Sequence, residues 1–172
     1  RQNLAAAERA AFSRAITARL AALDAYRSAS TVLGYMSFGA EFESHAWIAQ
    51  ALRNNKQVLL PKVNRSTGQL DLYRVSDLRQ DLAPGAWAIP EPLPERCRKV
   101  ETLDLLEFVL LPGVAFAPDG SRLGYGGGFY DKLLARMPHQ PALVAAAFSM
   151  QLLPALPQEA TDRKVAWLVT EE

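Results

Sequence analysis

Residues 108–131 read FVLLPGVAFAPDGSRLGYGGGFYD. The apolar run 108–116 is the most strand-like in the chain. The segment 115–131 then holds five of the chain's ten glycines, at 120, 124, 126, 127 and 128. Beyond it, Phe129–Leu133 and Tyr130–Leu134 pair at i,i+4, which predicts a helix running through Lys132–Met137 and closed by Pro138. The order is therefore strand, glycine loop, helix N-terminus. Glycine permits positive φ and lets backbone close around a ligand. Successive N–H groups can converge on anionic oxygens, and the helix start adds unpaired N–H groups. Arg122 supplies a forked cationic donor. Asp131, in the first helical turn, can bind Mg²⁺, a hard cation that takes only one or two protein carboxylates. The loop is neither G-x-x-x-x-G-K-[ST] nor G-x-G-x-x-G, because its glycines run Gly124-x-Gly126-x-Gly128. A plain flexible turn, with Asp131 serving only the helix dipole, is the competing interpretation.

Upstream, an alanine-rich helix over 4–26 carries Phe12, Ile16, Leu20 and Leu23 at steps of four, four and three. Residues 31–36 predict a short buried strand, followed by a turn at 37–40. Ser44 is placed to N-cap a helix ending near Asn54-Asn55, and 57–60 predict a second strand stopped by Pro61. Such a strand–helix–strand unit favours a parallel pair. In 62–78, Thr67-Gly68 marks a turn and Leu70, Leu72 and Tyr73 a hairpin strand. The stretch 81–96 contains prolines at 84, 90, 92 and 94 and cannot be a helix interior or a central strand. Trp87 and Ile89 are poor linker residues, so a stiff extended loop packed over the body is expected there. Leu143–Phe148 and Val165–Val169 are further strands. Strands alternating with helices predict an α/β three-layer sandwich around a mostly parallel sheet.

At 172 residues the chain suits one domain spanning 1–172. It has 49% hydrophobic and 22% charged residues, a globular balance. A net charge of +1 excludes general capture of nucleic acid or anionic membrane, so any bound anion is held by local geometry. No apolar run reaches membrane-spanning length. One cysteine, Cys97, excludes an intrachain disulfide and favours a cytoplasmic protein. Arg96 and Arg98 flank Cys97 and can lower its pKa, but with no Cys–His arrangement it reads as a passive thiol. His45 and His139 read as surface histidines and Lys62 as a solvated lysine, with a phosphate or a glutamate tail as its alternative role.

The string Gly120-x-Arg122-Leu123-Gly124-x-Gly126-x-Gly128-Phe129-Tyr130-Asp131 resembles the signature of the 5-formyltetrahydrofolate cyclo-ligase (methenyltetrahydrofolate synthetase) family. Further similar positions follow in order: Glu8-Arg9 and Ser13, Ser37 with Glu41, Leu60-Pro61, Trp87 with Ile89-Pro90-Glu91-Pro92, Leu111–Phe116, and Thr161-Asp162 to Val169-Thr170. The resemblance implies an α/β enzyme, expected to be monomeric, that uses ATP and Mg²⁺ to convert 5-formyltetrahydrofolate to 5,10-methenyltetrahydrofolate. It implies that Arg122, Leu123, Gly124, Tyr125, Gly126, Gly127, Gly128, Phe129 and Tyr130 line the ATP phosphates. Arg122 and Tyr130 would be catalytic and Asp131 the metal ligand. Met36, Glu41, Trp87, Tyr125 and Phe129 would contact the folate, with Glu41 accepting from the pterin and Trp87 forming an aromatic wall. Taken as residues alone, Met36 is core filler, Trp87 fits a loop anchor as well as a wall, and Glu41 fits a binding carboxylate better than a solvated acid. The family's basic ATP-contacting segment falls before Arg1. Ala117 and Ala166 stand where acids are common in the family, and Gly127 where a lysine is. A non-catalytic folate- or nucleotide-binding protein on the same fold is the alternative. A sugar-phosphate or acyl-CoA enzyme ranks behind both, since fold alone does not choose chemistry.

Overall fold

The computed structural model describes residues 4–157 and 162–172, so Arg1 and Thr161 lie outside the described residues. The N-terminal helix is broken in two, α1 Ala6–Ala22 and α2 Asp24–Ser28. The break falls at Leu23, whose ψ of 130° is extended. It turns Tyr26 into the core, with its ring 5.5 Å from that of Trp47 and 5.6 Å from that of Phe108. The buried face of α1 also includes Ser13 and Thr17, which an apolar stripe does not reveal.

Strand β1 is Thr31–Leu33, shorter than the run 31–36. It ends where the amide of Gly34 donates to Leu59 O, at 3.0 Å. A Cβ on Gly34 would lie 3.2 Å from both Trp47 and Ile48, so α3 (Ser44–Arg53) packs directly on that backbone. Strand β2, Gln57–Asn64, runs through Pro61 instead of stopping there. The reason is topological: β1 pairs with β2 only as far as Leu33↔Leu59, so Pro61 has no strand on that side to donate to. On its other side β2 pairs antiparallel with β3 (Gln69–Val75). The side chain of Asn64 closes the connecting turn by accepting from the amides of Ser66 and Thr67.

The proline-rich segment forms a small hairpin, β4 Leu82–Pro84 with β5 Pro90–Pro92, before β6 Arg98–Val100 returns to the main sheet. The apolar run 108–116 divides at Pro112-Gly113 into β7 (Phe108–Leu111) and β8 (Ala115–Phe116). β8 pairs with β9 (Arg122–Leu123) in a separate ribbon. Helix α4 spans Phe129–Ala135, ending two residues before Met137. Strands β10 (Ala142–Ala146) and β11 (Trp167–Val169) complete the chain.

The seven-stranded sheet has the order β11-β10-β7-β1-β2-β3-β6. Its first five strands are parallel and its last two antiparallel. Alternation sorts the side chains to two faces. Val32, Val58, Phe108, Leu110 and Val144 face α1–α3, whereas Leu33, Leu59, Val109, Leu111 and Leu143 face α4 and Phe116. This is the expected three-layer α/β arrangement. The strand order reverses between β1 and β7, and in open α/β sheets ligands bind beyond the carboxyl ends of the strands at such a point. β1 leads there to Glu41, and β7 leads to Arg122 and the glycine loop.

One buried acid anchors the segment carrying the β4–β5 hairpin. Asp81 Oδ2 accepts from the Ser76 amide (2.7 Å), the Asp77 amide (2.9 Å) and Ser76 Oγ (3.0 Å). Burial raises its pKa, but these hydrogen bonds and the charge of Arg96 outweigh burial and hold it below the ordinary value of 3.8. A depressed folded-state pKa gives stability that is present above the unfolded value and lost as pH falls through the folded one. Asp81→Asn is therefore expected to destabilise the fold by about 1–2 kcal/mol at pH 7. The gap from wild type should narrow below about pH 4. Thermal unfolding of both proteins across that range checks it, and a gap that does not depend on pH would contradict it.

Candidate functional site

Glu41 is only 4% exposed, although it sits in a loop. Two serines hold that loop in place. Ser44 does not cap α3. Its hydroxyl donates to Tyr35 O at 2.5 Å and accepts from the amide of Ser37 at 3.0 Å, while the Ser44 amide donates to Ser37 Oγ at 3.2 Å. Ser13 adds a tie from α1 by accepting from the Glu43 amide. Inside this frame Glu41 Oε2 accepts from the Phe38 amide at 3.0 Å. Its other oxygen, Oε1, accepts from the hydroxyl of Tyr125, in the glycine loop. The rings of Phe38 and Tyr125 lie 5.3 Å apart. The two loops that leave β1 and β7 are thus joined through one buried carboxylate.

Arg122 is the second centre. Its side chain is 5% exposed, with Nη2 2.9 Å from Asp131 Oδ1 and Nη1 donating to Pro112 O at 3.3 Å. Nε is buried and has no hydrogen-bond partner among the described residues. Two glycines leave room for this side chain: a Cβ on Gly113 would come within 3.1 Å of Arg122 Cγ, and one on Gly124 within 3.1 Å of Nη1. A buried donor without an acceptor is costly, and a planar fork suits the oxygens of a phosphate. The residues predicted for a phosphate and for a metal therefore pair with each other here.

Between these centres the amides of Gly124, Gly126, Gly127 and Gly128 donate to no backbone carbonyl among the described residues. Gly126 and Gly128 have φ of 84° and 60°, values that favour glycine. Phe129 folds back over Gly127, where a Cβ would lie 2.7 Å from the ring, so a longer residue at 127 requires Phe129 to move. Helix α4 has only seven residues, so its dipole is a smaller contributor than the sequence suggests. The Tyr130 hydroxyl has a pKa raised far above that of an ordinary phenol. Burial is the main cause and the charge of Glu41 adds to it, while Arg122 works in the opposite direction. Tyr130 therefore stays protonated near neutral pH.

Met36 is partly buried against the core at the exit of β1. Leu123 is exposed. Trp87 is 75% exposed and does not anchor its loop. It stands at the hairpin tip with φ 54°, followed by Ala88 with φ 59°. Trp87 lines a cleft of ≈ 410 Å³ together with Val63, Asn64, Arg65, Gly68 and Phe129, and Glu41 is not part of that lining. Lys62 is not a freely solvated lysine, because its ammonium lies 3.2 Å from Glu91 Oε2. Cys97 is buried, and its thiol pKa is raised by burial first and by Asp81 second, so the flanking arginines do not activate it. His45 and His139 are exposed, as expected. Asp119 pairs with Lys164. No group of three or more His, Cys, Asp or Glu able to hold a metal occurs among the described residues, and no helix among them is long and apolar enough to cross a membrane. Mg²⁺ takes only one or two protein carboxylates, so a single carboxylate such as that of Asp131 is chemically compatible with it.

Comparison with known proteins gives a consistent result. The model of the 5-formyltetrahydrofolate cyclo-ligase family matches residues 1–171. The 5-formyltetrahydrofolate cyclo-ligase of Escherichia coli (strain K12) is 36% identical over 146 residues, covering 83% of this chain and 78% of its own. That of Mus musculus is 29% identical over 177 residues, covering 98% and 87%. The solved structure of Aquifex aeolicus 5,10-methenyltetrahydrofolate synthetase superposes with a TM-score of 0.82 at 34% identity, covering 99% of this chain and 83% of that one. The synthetase from Mycoplasma pneumoniae has a TM-score of 0.78 at 19% identity, covering 99% and 92%, and shares the fold.

Proposed function

The chain belongs to the 5-formyltetrahydrofolate cyclo-ligase family, and we propose from that membership that it converts 5-formyltetrahydrofolate to 5,10-methenyltetrahydrofolate at the junction of the β1 and β7 loops, with ATP as the phosphoryl donor. The observation that carries this location is the hydrogen bond from Tyr125 to the buried Glu41, which sets a pterin-accepting carboxylate against the glycine loop.

The chemistry explains the residues. A formamide is a poor electrophile because its nitrogen donates into the carbonyl. The formyl oxygen attacks the γ-phosphorus, ADP leaves, and the carbon becomes bonded to a good leaving group. N10 then attacks that carbon, the carbon–oxygen bond breaks, and phosphate departs with the N10 proton. Phosphoryl transfer asks the protein mainly for positioning and charge stabilisation. Arg122 brings a guanidinium whose Nε has no acceptor among the described residues, and the glycine amides that donate to no backbone carbonyl among them bring neutral donors. Asp131 would hold Mg²⁺, which would neutralise charge on the phosphates. Tyr130 keeps its proton and donates. Glu41 accepts N–H groups from the pterin, fixing N10 against the formyl carbon.

Incubating the protein with 5-formyltetrahydrofolate and Mg·ATP should produce the near-ultraviolet band of the methenyl product, with ADP and phosphate formed one for one. Tight folate binding without ATP consumption would instead select a binding protein.

A further inference from the structure

Gln151 is 7% exposed, although its neighbours Met150, Leu152 and Leu153 are exposed. The segment turns its polar residue inward and its apolar ones to solvent, the reverse of the usual sorting. A buried amide needs hydrogen-bond partners, and this one has them on both sides. Oε1 accepts from the Phe148 amide at 3.0 Å, while Nε2 donates to Gly113 O at 3.3 Å and to Val114 O at 2.9 Å. One side chain therefore joins the exit of β10 to the turn that leaves β7. Among side chains of this length only a primary amide offers an acceptor and two N–H donors at once. The single 3₁₀ turn that carries it, Ser149–Gln151, is held from the far end of the chain by Glu171. That carboxylate accepts from the Ser149 amide at 2.9 and 3.1 Å and from Ser149 Oγ at 2.7 Å. The Leu153 amide docks the following residues on β8 by donating to Phe116 O at 2.9 Å.

The turn after β7 is the wall against which Arg122 lies. Pro112 O accepts from Nη1 at 3.3 Å, and a Cβ on Gly113 would come within 3.1 Å of Cγ. The Val114 amide ties the same turn to β9 by donating to Leu123 O at 2.8 Å. We infer that Gln151 is a positioning residue for Arg122: by holding the carbonyls of Gly113 and Val114 it fixes the backbone that aims the guanidinium at a phosphate. The inference rests on the proposed function, since it takes Arg122 to meet a transferring phosphoryl group. Gln151→Glu would set a carboxylate against two carbonyl oxygens. Gln151→Met matches the shape and lacks only the polar atoms, so it is the cleaner test.

Gln151→Met is expected to lower kcat about tenfold. A misplacement of about 1 Å can cost about 10²-fold, and the bond from Val114 to Leu123 still holds part of the turn. KM for the folate should stay near wild type, because Glu41 lies on the loop from β1. The deciding readout is a double-variant cycle with Arg122→Ala. A residue that acts through Arg122 has little left to remove once Arg122 is gone, whereas a residue that only stabilises the fold multiplies its effect. The full loss repeated in the Arg122→Ala background would overturn the inference. So would a kcat for Gln151→Met equal to that of wild type. Glu171→Ala, a change outside the turn, provides the reading if Gln151→Met folds poorly. It is expected to lower kcat about threefold, and again only while Arg122 is present. Calorimetric titration with Mg²⁺ and a non-hydrolysable ATP analogue runs the same cycle without the folate. Each single variant should weaken binding about threefold, and the double variant no more than Arg122→Ala alone. That pattern with no methenyl product from wild type would leave the positioning role standing and sink the activity. Normal turnover with multiplied losses would do the opposite.

Discussion

Replacing Arg122 by alanine is expected to lower kcat by about 10²–10³-fold, the usual effect of removing one preorganised donor from a developing anion. The expectation follows from where the side chain lies. Its guanidinium is nearly buried between two glycines, bonded to Asp131 and to Pro112 O, with one N–H lacking an acceptor among the described residues. A triphosphate in the loop would give Nε its missing partner and would draw Asp131 toward the accompanying cation. Arg122→Lys tests whether shape or charge matters. Lysine keeps the charge but cannot reach Asp131, Pro112 and a phosphate together from one planar fork. It is expected to recover less than a tenth of the lost rate. Asp131→Asn should act differently, raising the Mg²⁺ concentration needed for half-maximal rate more than it lowers the rate at saturation. Stopped-flow formation of the methenyl band across a Mg²⁺ series separates the two. Equal rates for wild type and Arg122→Ala would remove this residue from the mechanism.

The features legible in the sequence are those set by neighbours along the chain. Glycine spacing, the i,i+4 pairs after it and the apolar run before it mark strand, loop and helix, because each of those signals is local. Pairing limits are not local. Pro61 stops no strand because β1 has already ended beside it, which depends on where Gly34 meets α3. Leu23 looks like one more stripe residue, yet it breaks the helix so that Tyr26 can pack at a tilt against Trp47 and edge-on against Phe108. Ser44 has the position of a cap, but its hydroxyl serves Tyr35 and Ser37. The site divides the same way. Arg122 and Asp131 are recognisable from the motif, but their mutual pairing is not. Neither is the contact between Tyr125 and Glu41, residues separated by 84 positions. Lys62 looks like a solvated cation, and only the fold shows that Glu91 claims it.

That long-range contact leads to the other large effect. Glu41→Ala is expected to raise KM for 5-formyltetrahydrofolate by about 10²-fold, because hydrogen bonds to a charged group contribute roughly 1.5–3 kcal/mol each and a pterin offers adjacent donors. KM for Mg·ATP should stay near wild type. Glu41→Gln should be nearly as severe. The amide would direct N–H groups at the Phe38 amide or the Tyr125 hydroxyl, both of which donate to the carboxylate now. Tyr125→Phe is the informative contrast. In the ligand-free protein the Tyr125 hydroxyl occupies an oxygen that the pterin is proposed to use, so arriving substrate has to displace it. Removing the hydroxyl should therefore lower the folate dissociation constant by about threefold, the fold-change of a modest net hydrogen bond. If Tyr125→Phe instead weakens binding as much as Glu41→Ala does, the phenol is itself a substrate contact, and the carboxylate's resting partner is part of the bound complex.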